Sequence, residues 1–414
     1  MRVDVLVLGG GIVGTALALS LQMRGRSVAM VDRGAPGGET SFGNAGLIQT
    51  EAVMPYPFPR DPLLLLQYAL NLKAEANYHL KDILDIAPGL WRYFRASTRE
   101  GRLITARANA PLFGACIDEH RKLAVAAGAE GHLRPGGWID AYRSQKSLDA
   151  SMAEAERDRA AFGITSTVLD RKALQAKEPN LGDALIGGIH WTGPYSLNDP
   201  EALTLAYARH FEAIGGKILI GDARTLAQAN ADWSVTTEAG MVSAPDCVIA
   251  LGPWSPDILR PLGYNVPMFI KRGYHVHLRP QGNARLSVPV ADRDVGYMMA
   301  PMARGIRLTT GAEFASRDSV RTPIQVDKIE AKARELFPFD GRVETTPWMG
   351  ARPCMPDMRA VMGKAGKHKG LWFNFGHAHH GLTLAGSAAR LMSEMMLGEP
   401  TYADAKPFEL ERFG

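Results

Sequence analysis

The chain opens with Val3-Asp4-Val5-Leu6-Val7-Leu8-Gly9-Gly10-Gly11-Ile12-Val13-Gly14, and a second apolar run follows, Ser27-Val28-Ala29-Met30-Val31-Asp32. Val3, Val5, Leu6, Val7 and Leu8 form a short apolar run rich in β-branched residues, as a strand buried on both faces of a parallel sheet should be. Ala16 to Leu21 are small or straight-chain apolar residues, which suits a buried helix. Strand, glycine turn, helix and a second strand ending in an acid make a dinucleotide-binding βαβ unit. Gly9 allows the tight turn, Gly11 lets the backbone approach a pyrophosphate, and Gly14 lets the helix pack closely on the strand. Ile12 and Val13 open the helix, whose unpaired N–H groups attract phosphate. Asp32, with Arg33 beside it, is placed to accept both hydroxyls of an adenosine ribose. That requirement for a free 2′-hydroxyl disfavours NADP and leaves NAD and FAD.

Val5 to Met23 carries no charge, and in outline it is like a signal peptide or membrane span. However, no small-residue cleavage site stands near Arg24-Gly25-Arg26, and three consecutive glycines interrupt the run. The 414 residues allow two or three domains. With 22% charged and 46% hydrophobic residues the composition is globular, which excludes a disordered or coiled-coil chain. The net charge of +4 is scattered, without a long basic run, so nucleic acid is not indicated as a partner. Cys116, Cys247 and Cys354 lie far apart with no CxxC, against both a disulfide framework and a zinc site. A cytoplasmic protein is expected.

Downstream, Thr40-Ser41-Phe42-Gly43-Asn44-Ala45-Gly46-Leu47 resembles the "TS-x-x-NAG" segment that lies along the pyrophosphate and isoalloxazine in the D-amino acid oxidase superfamily. Further matches follow in order: Ser196 to Pro200 before a helical stretch, then the β-run Lys217 to Gly221 with Ala223 beyond it. Ala250-Leu251-Gly252-Pro253-Trp254-Ser255 resembles "ATG-x-W-S", and Lys271-Arg272-Gly273-Tyr274-His275 resembles "RGY-H". Gly350-Ala351-Arg352-Pro353 with Pro356-Asp357 resembles "G-x-RP-x-x-PD". Gly376-His377-Ala378-His379-His380-Gly381-Leu382-Thr383 resembles the closing glycine-rich loop that opens the last helix. These matches span the chain, and within the superfamily the likeness is greatest to bacterial D-amino acid dehydrogenases and hydroxy-D-proline dehydrogenases. Asp32 stands where Glu is common, and the tail from Tyr402 to Phe413 departs from the "P-x-RF" ending.

The resemblance implies an α/β fold: a Rossmann-like FAD-binding domain interleaved with an α+β, mixed-sheet substrate-binding domain. On that pattern 1–50, 196–265 and 345–414 build the FAD-binding domain, and 135–195 and 266–344 the substrate domain. Residues 51–134 form a helical segment on the substrate side. Local patterning predicts strands at Gly137 to Tyr142, Gly187 to Trp191 and Arg307 to Gly311, and a helix from Ile324 to Leu336. Pro62 to Leu70 and Leu84 to Phe94 are apolar or amphipathic beside Lys73, Arg92, Arg95 and Arg99. They read as packed helices or as an element that touches a membrane surface or a quinone at the inner face of the cell membrane. Neither has the ~20 apolar residues of a span.

The implied reaction removes hydride from Cα of a D-amino acid or cyclic imino acid and delivers it to flavin N5, leaving an imine that water hydrolyses. Electrons then pass to a quinone or other carrier. The protein's task is to hold the Cα–H and bind the carboxylate. A planar guanidinium grips a carboxylate through two parallel hydrogen bonds, which makes Arg352 the candidate. Tyr274 and His380 are the further pocket candidates, with His379, His275, His277 and Tyr297 behind them. The loop Gly376 to Thr383, including His377, Gly381 and Leu382, would present N–H groups to the reduced flavin's N1–C2=O edge. The H-x-HH spacing lacks a neighbouring carboxylate or cysteine, so no metal is expected. Cys354 beside Arg352 raises a covalent flavin link, but its position does not match that of sarcosine oxidases, and FAD is expected to be non-covalent. An oxygen-using oxidase of glycine or sarcosine type, or a subunit of a larger flavoprotein complex, is the alternative.

Overall fold

Strand β1 (Val5–Leu8) lies at the centre of an eight-stranded sheet and is buried along its whole length. Its apolar residues face packed layers on both sides, which explains why the run does not alternate. Helix α1 (Ile12–Met23) follows, then strand β2 (Val28–Asp32) parallel to β1 with Leu8 opposite Val31. Lys217–Ala229 extends the parallel core beyond β2, while Asp246–Ile249 and then Leu371–Phe375 extend it beyond β1. Antiparallel strands close both edges. The computed structural model describes residues 1–414.

Helix α1 is apolar nearly all round because it is sandwiched between this sheet and the closing helix Gly381–Leu397. Small residues allow the close approach, and the hydroxyls of Ser20 and Ser393 meet across it at 2.9 Å. Two further helices flank the cavity described below, α2 (Pro62–Ala69) and α3 (Ile83–Ala96), before the 28-residue α4 (Arg99–Ala126). Helix α4 does not join the substrate side as expected. It packs on the closing helix, where a Cβ at Gly386 would come within 2.9 Å of the Glu119 and His120 backbone. His120 is wholly buried there, between the Tyr207 hydroxyl and the Leu382 carbonyl. Phe113, Cys116 and Leu123 of α4 share one core with α1 and the closing helix.

The second sheet has eleven strands, built mainly from residues 138–191 and 269–354. Its axis is the long strand Phe269–Pro280, which pairs with Gly305–Thr309, Ala312–Phe314, Phe339–Arg342 and Trp348–Cys354. The strand carrying Arg352 therefore belongs to this sheet, with Lys271 opposite Arg352, so the third nucleotide-side stretch begins after Cys354 rather than at 345. The expected helix Ile324–Leu336 is present, and the 138–142, 187–191 and 305–309 strands lie in this sheet. A three-stranded sheet of Leu47–Ile48, Tyr195–Leu197 and Leu133–Pro135 stands apart from both. The tail buries Phe408 and Leu410 and bonds Arg412 to Asp357 at 2.8 Å, which clamps it to the segment after Cys354.

Candidate active site

The turn after β1 is shaped by sterics. Gly9 has φ +116°, and a Cβ there would lie 2.4 Å from the Ala250 carbonyl oxygen. A Cβ at Gly14 would lie 2.0 Å from the Gly9 oxygen, so the helix can sit this close to the turn only without a side chain. Gly11, at the start of α1, brings no capping side chain and the first turn has no acidic residue, which favours an anion at its positive end. Asp32 accepts the Gly10 N–H at 2.6 Å, and the Ser41 hydroxyl accepts the Ile12 N–H at 2.9 Å. Arg33 lies over the Trp254 ring at 4.3 Å.

From this turn a single cavity of about 1190 Å³ runs to Arg352 on the second sheet. That exceeds the roughly 300–1,000 Å³ of an ordinary small-molecule pocket. Its wall brings together Gly9, Gly11, Ile12, Val13, Asp32 and Arg33 with Thr40, Ser41, Asn44, Ala45 and Leu47. Ala223, Ala250, Gly252 and Trp254 line it too, as do Gly376, His377, His379, Gly381 and Leu382. Gly14, Gly46 and Thr383 stand behind the wall. Gly46, at φ +72°, packs on the Leu197 carbonyl, and the Thr383 hydroxyl donates to Leu47 O while accepting the Gln49 N–H. These residues fit FAD: the cradle excludes side chains, and both polar atoms of the cavity-lining Asn374 are buried without a partner.

At the other end the Arg352 guanidinium donates to the Gly311 carbonyl at 3.0 Å and the Thr310 carbonyl at 3.5 Å. It lies over Gly273, where a Cβ would come within 2.2 Å of its Nη2, so the glycine of the "RGY" stretch makes room for it. Burial pushes its pKa down, and the Cys354 thiol, not a carboxylate, is the group set against that. Gly273 and Lys271 share the face that bears Arg352, because strand side chains alternate. Tyr274 therefore points the other way. Its hydroxyl donates to Glu313 at 2.8 Å and accepts the Thr322 N–H, inside a fully buried Arg272–Glu313 pair. Tyr274 still lies on the cavity wall, but Glu313 and Thr322 occupy the hydroxyl expected to hold substrate.

His380 is also displaced from its expected place. It sets its ring edge-on to Phe113 at 5.0 Å, away from the cavity, whereas His379 lines it, 5.5 Å from the Tyr56 ring. Burial, then the neighbouring His380, Arg352 and Lys271, hold the His379 pKa well below its ordinary value, so its imidazole is neutral. Its Nε2 has no partner in the protein. His377, His379 and His380 do not converge as metal ligands. The one such convergence is His275, His277 and Glu344, where Arg307 donates to His277 Nε2 at 3.1 Å. Tyr297 lines the cavity with its hydroxyl unpartnered.

Sequence reasoning missed Lys271, Tyr56, Tyr93 and Arg307. Arg307 donates to the carbonyls of Phe42 at 3.0 Å and Asn44 at 2.5 Å, and so holds the loop that lines the cavity. Glu51 was missed as well. It accepts the Trp138 indole N–H at 2.9 Å and the Gln49 amide at 2.8 Å, and burial pushes its pKa up to about 7. Lys271 was detectable by counting alternate residues back from Gly273; the others come from segments with no motif.

A parallel nucleotide-binding sheet facing a mixed sheet across one long cavity defines a dinucleotide-dependent oxidoreductase. The chain belongs to the DAO family of FAD-dependent oxidoreductases, whose family model matches residues 4–395. It is 30% identical to a D-amino acid dehydrogenase of Rhizobium johnstonii over 420 residues, covering 99% of this chain and 100% of that one. To a D-amino-acid oxidase of Bradyrhizobium diazoefficiens it is 27% identical, over 99% of this chain and 98% of the other. Among solved structures, glycine oxidase from Geobacillus kaustophilus has the same fold, with TM-score 0.74, 21% identity and 99% and 98% of the two chains covered.

Proposed function

We propose that this FAD-dependent enzyme oxidises a D-amino acid or a cyclic imino acid of the hydroxy-D-proline type. When bound, FAD accepts the hydride equivalent from the substrate Cα–H bond. The observation that carries the reading is Arg352, a guanidinium in the cavity wall bonded only to carbonyls. Its planar fork suits a substrate carboxylate, which then fixes where Cα lies. The neutral His379, with an unpartnered Nε2, can hydrogen-bond the substrate nitrogen, and its low proton affinity leaves removal of the ammonium proton to solvent. Names of the relatives favour the D configuration. Cys354 is fully buried and does not line the cavity, which supports non-covalent FAD.

The electron acceptor is a quinone or another carrier reached at a membrane surface. No helix is long and apolar enough to cross a membrane. However, α2 has no buried residue, and Leu63, Leu66, Leu70, Leu72, Leu80, Leu84 and Trp91 are exposed between residues 63 and 91. Arg60, Lys81, Arg92 and Arg95 are exposed beside them, as on a face that meets anionic lipid. Phe58, Tyr68 and Tyr93 from the same region line the cavity, so that face adjoins the site.

The test is dye reduction by the purified yellow protein against D-amino acids, hydroxy-D-prolines, sarcosine and glycine, with peroxide measured under air. Turnover of a D-amino or imino acid with little peroxide is expected. Peroxide formation with glycine or sarcosine would replace this reading by an oxidase, and inertness to the whole panel would sink it.

A further inference from the structure

Two cations stand together at the substrate end of the cavity, and the protein gives neither a carboxylate. Lys271 lies directly opposite Arg352 on paired antiparallel strands, with both side chains on the same face. Like charges so placed repel, and burial makes the repulsion costly unless an anion joins them. Burial pulls the Lys271 pKa down, the Cys354 thiol opposes that and Arg352 adds to it, with the neutral His379 also nearby. The Lys271 ammonium sits among aromatic rings, 4.2 Å from Tyr93, 5.6 Å from Phe269 and 5.8 Å from Phe314. Cation–π attraction holds the group there without using its three N–H donors.

The two heads diverge. Arg352 leans over Gly273, two residues along the strand, while Lys271 leans toward Tyr93 on α3 and Phe314. One α-carboxylate satisfies a guanidinium fork. A second anion is left to meet Lys271.

We propose that Lys271 receives a second carboxylate, so that the site favours an amino acid with an acidic side chain. This rests on the reading of Arg352 as the α-carboxylate group. Lys271 selects the substrate and takes no part in the oxidation itself.

With the FAD-loaded enzyme, kcat/KM is compared for D-glutamate and D-aspartate against their neutral amides, D-glutamine and D-asparagine. The acids are expected to be favoured at least tenfold. In K271M the acids lose roughly thirtyfold or more, as when one partner of a buried charge pair is removed, and the amides lose at least tenfold less. A wild-type preference for the amides, or an equal loss on acids and amides, overturns the proposal; the latter means that Lys271 shares the α-carboxylate. A second measurement needs no turnover: titration of the oxidised flavin absorption with glutarate and with butyrate. Glutarate is expected to bind more tightly, and K271M to abolish that advantage. Equal affinities in the wild type overturn the proposal even where turnover is absent. If no amino acid is oxidised while glutarate still binds through Lys271, the substrate reading fails and the second-anion site stands. Should K271M not fold, Lys271→Gln serves the same comparison.

Discussion

Arg352 shows how one strand position can concentrate a site's binding energy. Its guanidinium is held flat by two carbonyls and by the absence of a side chain at Gly273, so its outward N–H groups are preorganised. Lysine there keeps the charge and loses the fork. Arg352→Lys is therefore expected to lower kcat/KM roughly a hundredfold with little change in melting temperature. An unchanged KM and kcat would remove Arg352 from the site. Glu51 makes a prediction of the opposite kind, about stability. Its pKa rises from 4.5 to about 7, chiefly by burial, with one oxygen left without a partner. A carboxyl raised in this way binds more protons folded than unfolded. Its stabilising contribution is full below pH 4.5 and is lost as pH climbs to about 7, on the order of 3 kcal/mol in all. Glu51→Gln keeps the acceptor for Trp138 and Gln49 without the charge. The melting temperature of the variant minus that of the wild type should grow by at least about 2 °C between pH 5 and pH 8, and a constant difference would show that Glu51 ionises freely.

At the scale of elements, α2 and the Leu80 to Trp91 stretch present apolar side chains to solvent with basic residues beside them. Leu84 is 84% exposed and Leu80 71%, so the stretch keeps an apolar outer face although Ile86, Leu90 and Tyr93 bury its inner one. Leu66→Glu with Leu84→Glu should leave dye-linked turnover intact, because neither side chain lines the cavity. The same pair should abolish cosedimentation with vesicles containing anionic phospholipid. Retained cosedimentation would place the lipid contact elsewhere. Elements differ in how much of themselves the sequence displays. β1, α1 and β2 are local: each is a run with its own period, punctuated by glycines whose steric duty is written in the neighbouring residues. The helix Ile324–Leu336 is equally local. The partner of the Trp348–Cys354 strand is not, since strand pairing joins residues some eighty positions apart and leaves no local mark. Helix α4 is hidden for a similar reason. Its seat depends on Gly386 in the closing helix, and nothing within 99–126 names that partner. Tyr274 and His380 were within reach, because alternation from Gly273 turns the tyrosine away from Arg352. A helix start beside His380 leaves only one of two adjacent histidines facing the cavity.

The whole molecule is organised so that neither sheet completes the site. Gly9, Asp32 and Asn374 come from the parallel sheet or its loops, and Lys271, Arg352 and Tyr297 from the mixed sheet; all line one cavity. Arg307 of the mixed sheet grips the Phe42 and Asn44 carbonyls, which ties the second sheet to the nucleotide-side loop. A ligand that fills the whole cavity then stabilises both halves at once. One confined to the Gly9–Asp32 end contacts mainly the parallel sheet. Binding adds RT ln(1 + [L]/Kd), about 2.7 kcal/mol when the ligand stands at a hundred times its Kd. The flavin-free protein should thus melt below the FAD-loaded form and recover as FAD is added. ADP, matched to FAD in multiples of its own Kd, should raise the first transition and leave a later one for the mixed sheet. FAD should merge the two into a single cooperative transition. If ADP and FAD produce the same single transition, the two sheets are already coupled without the flavin, and the cavity plays no part in holding them together.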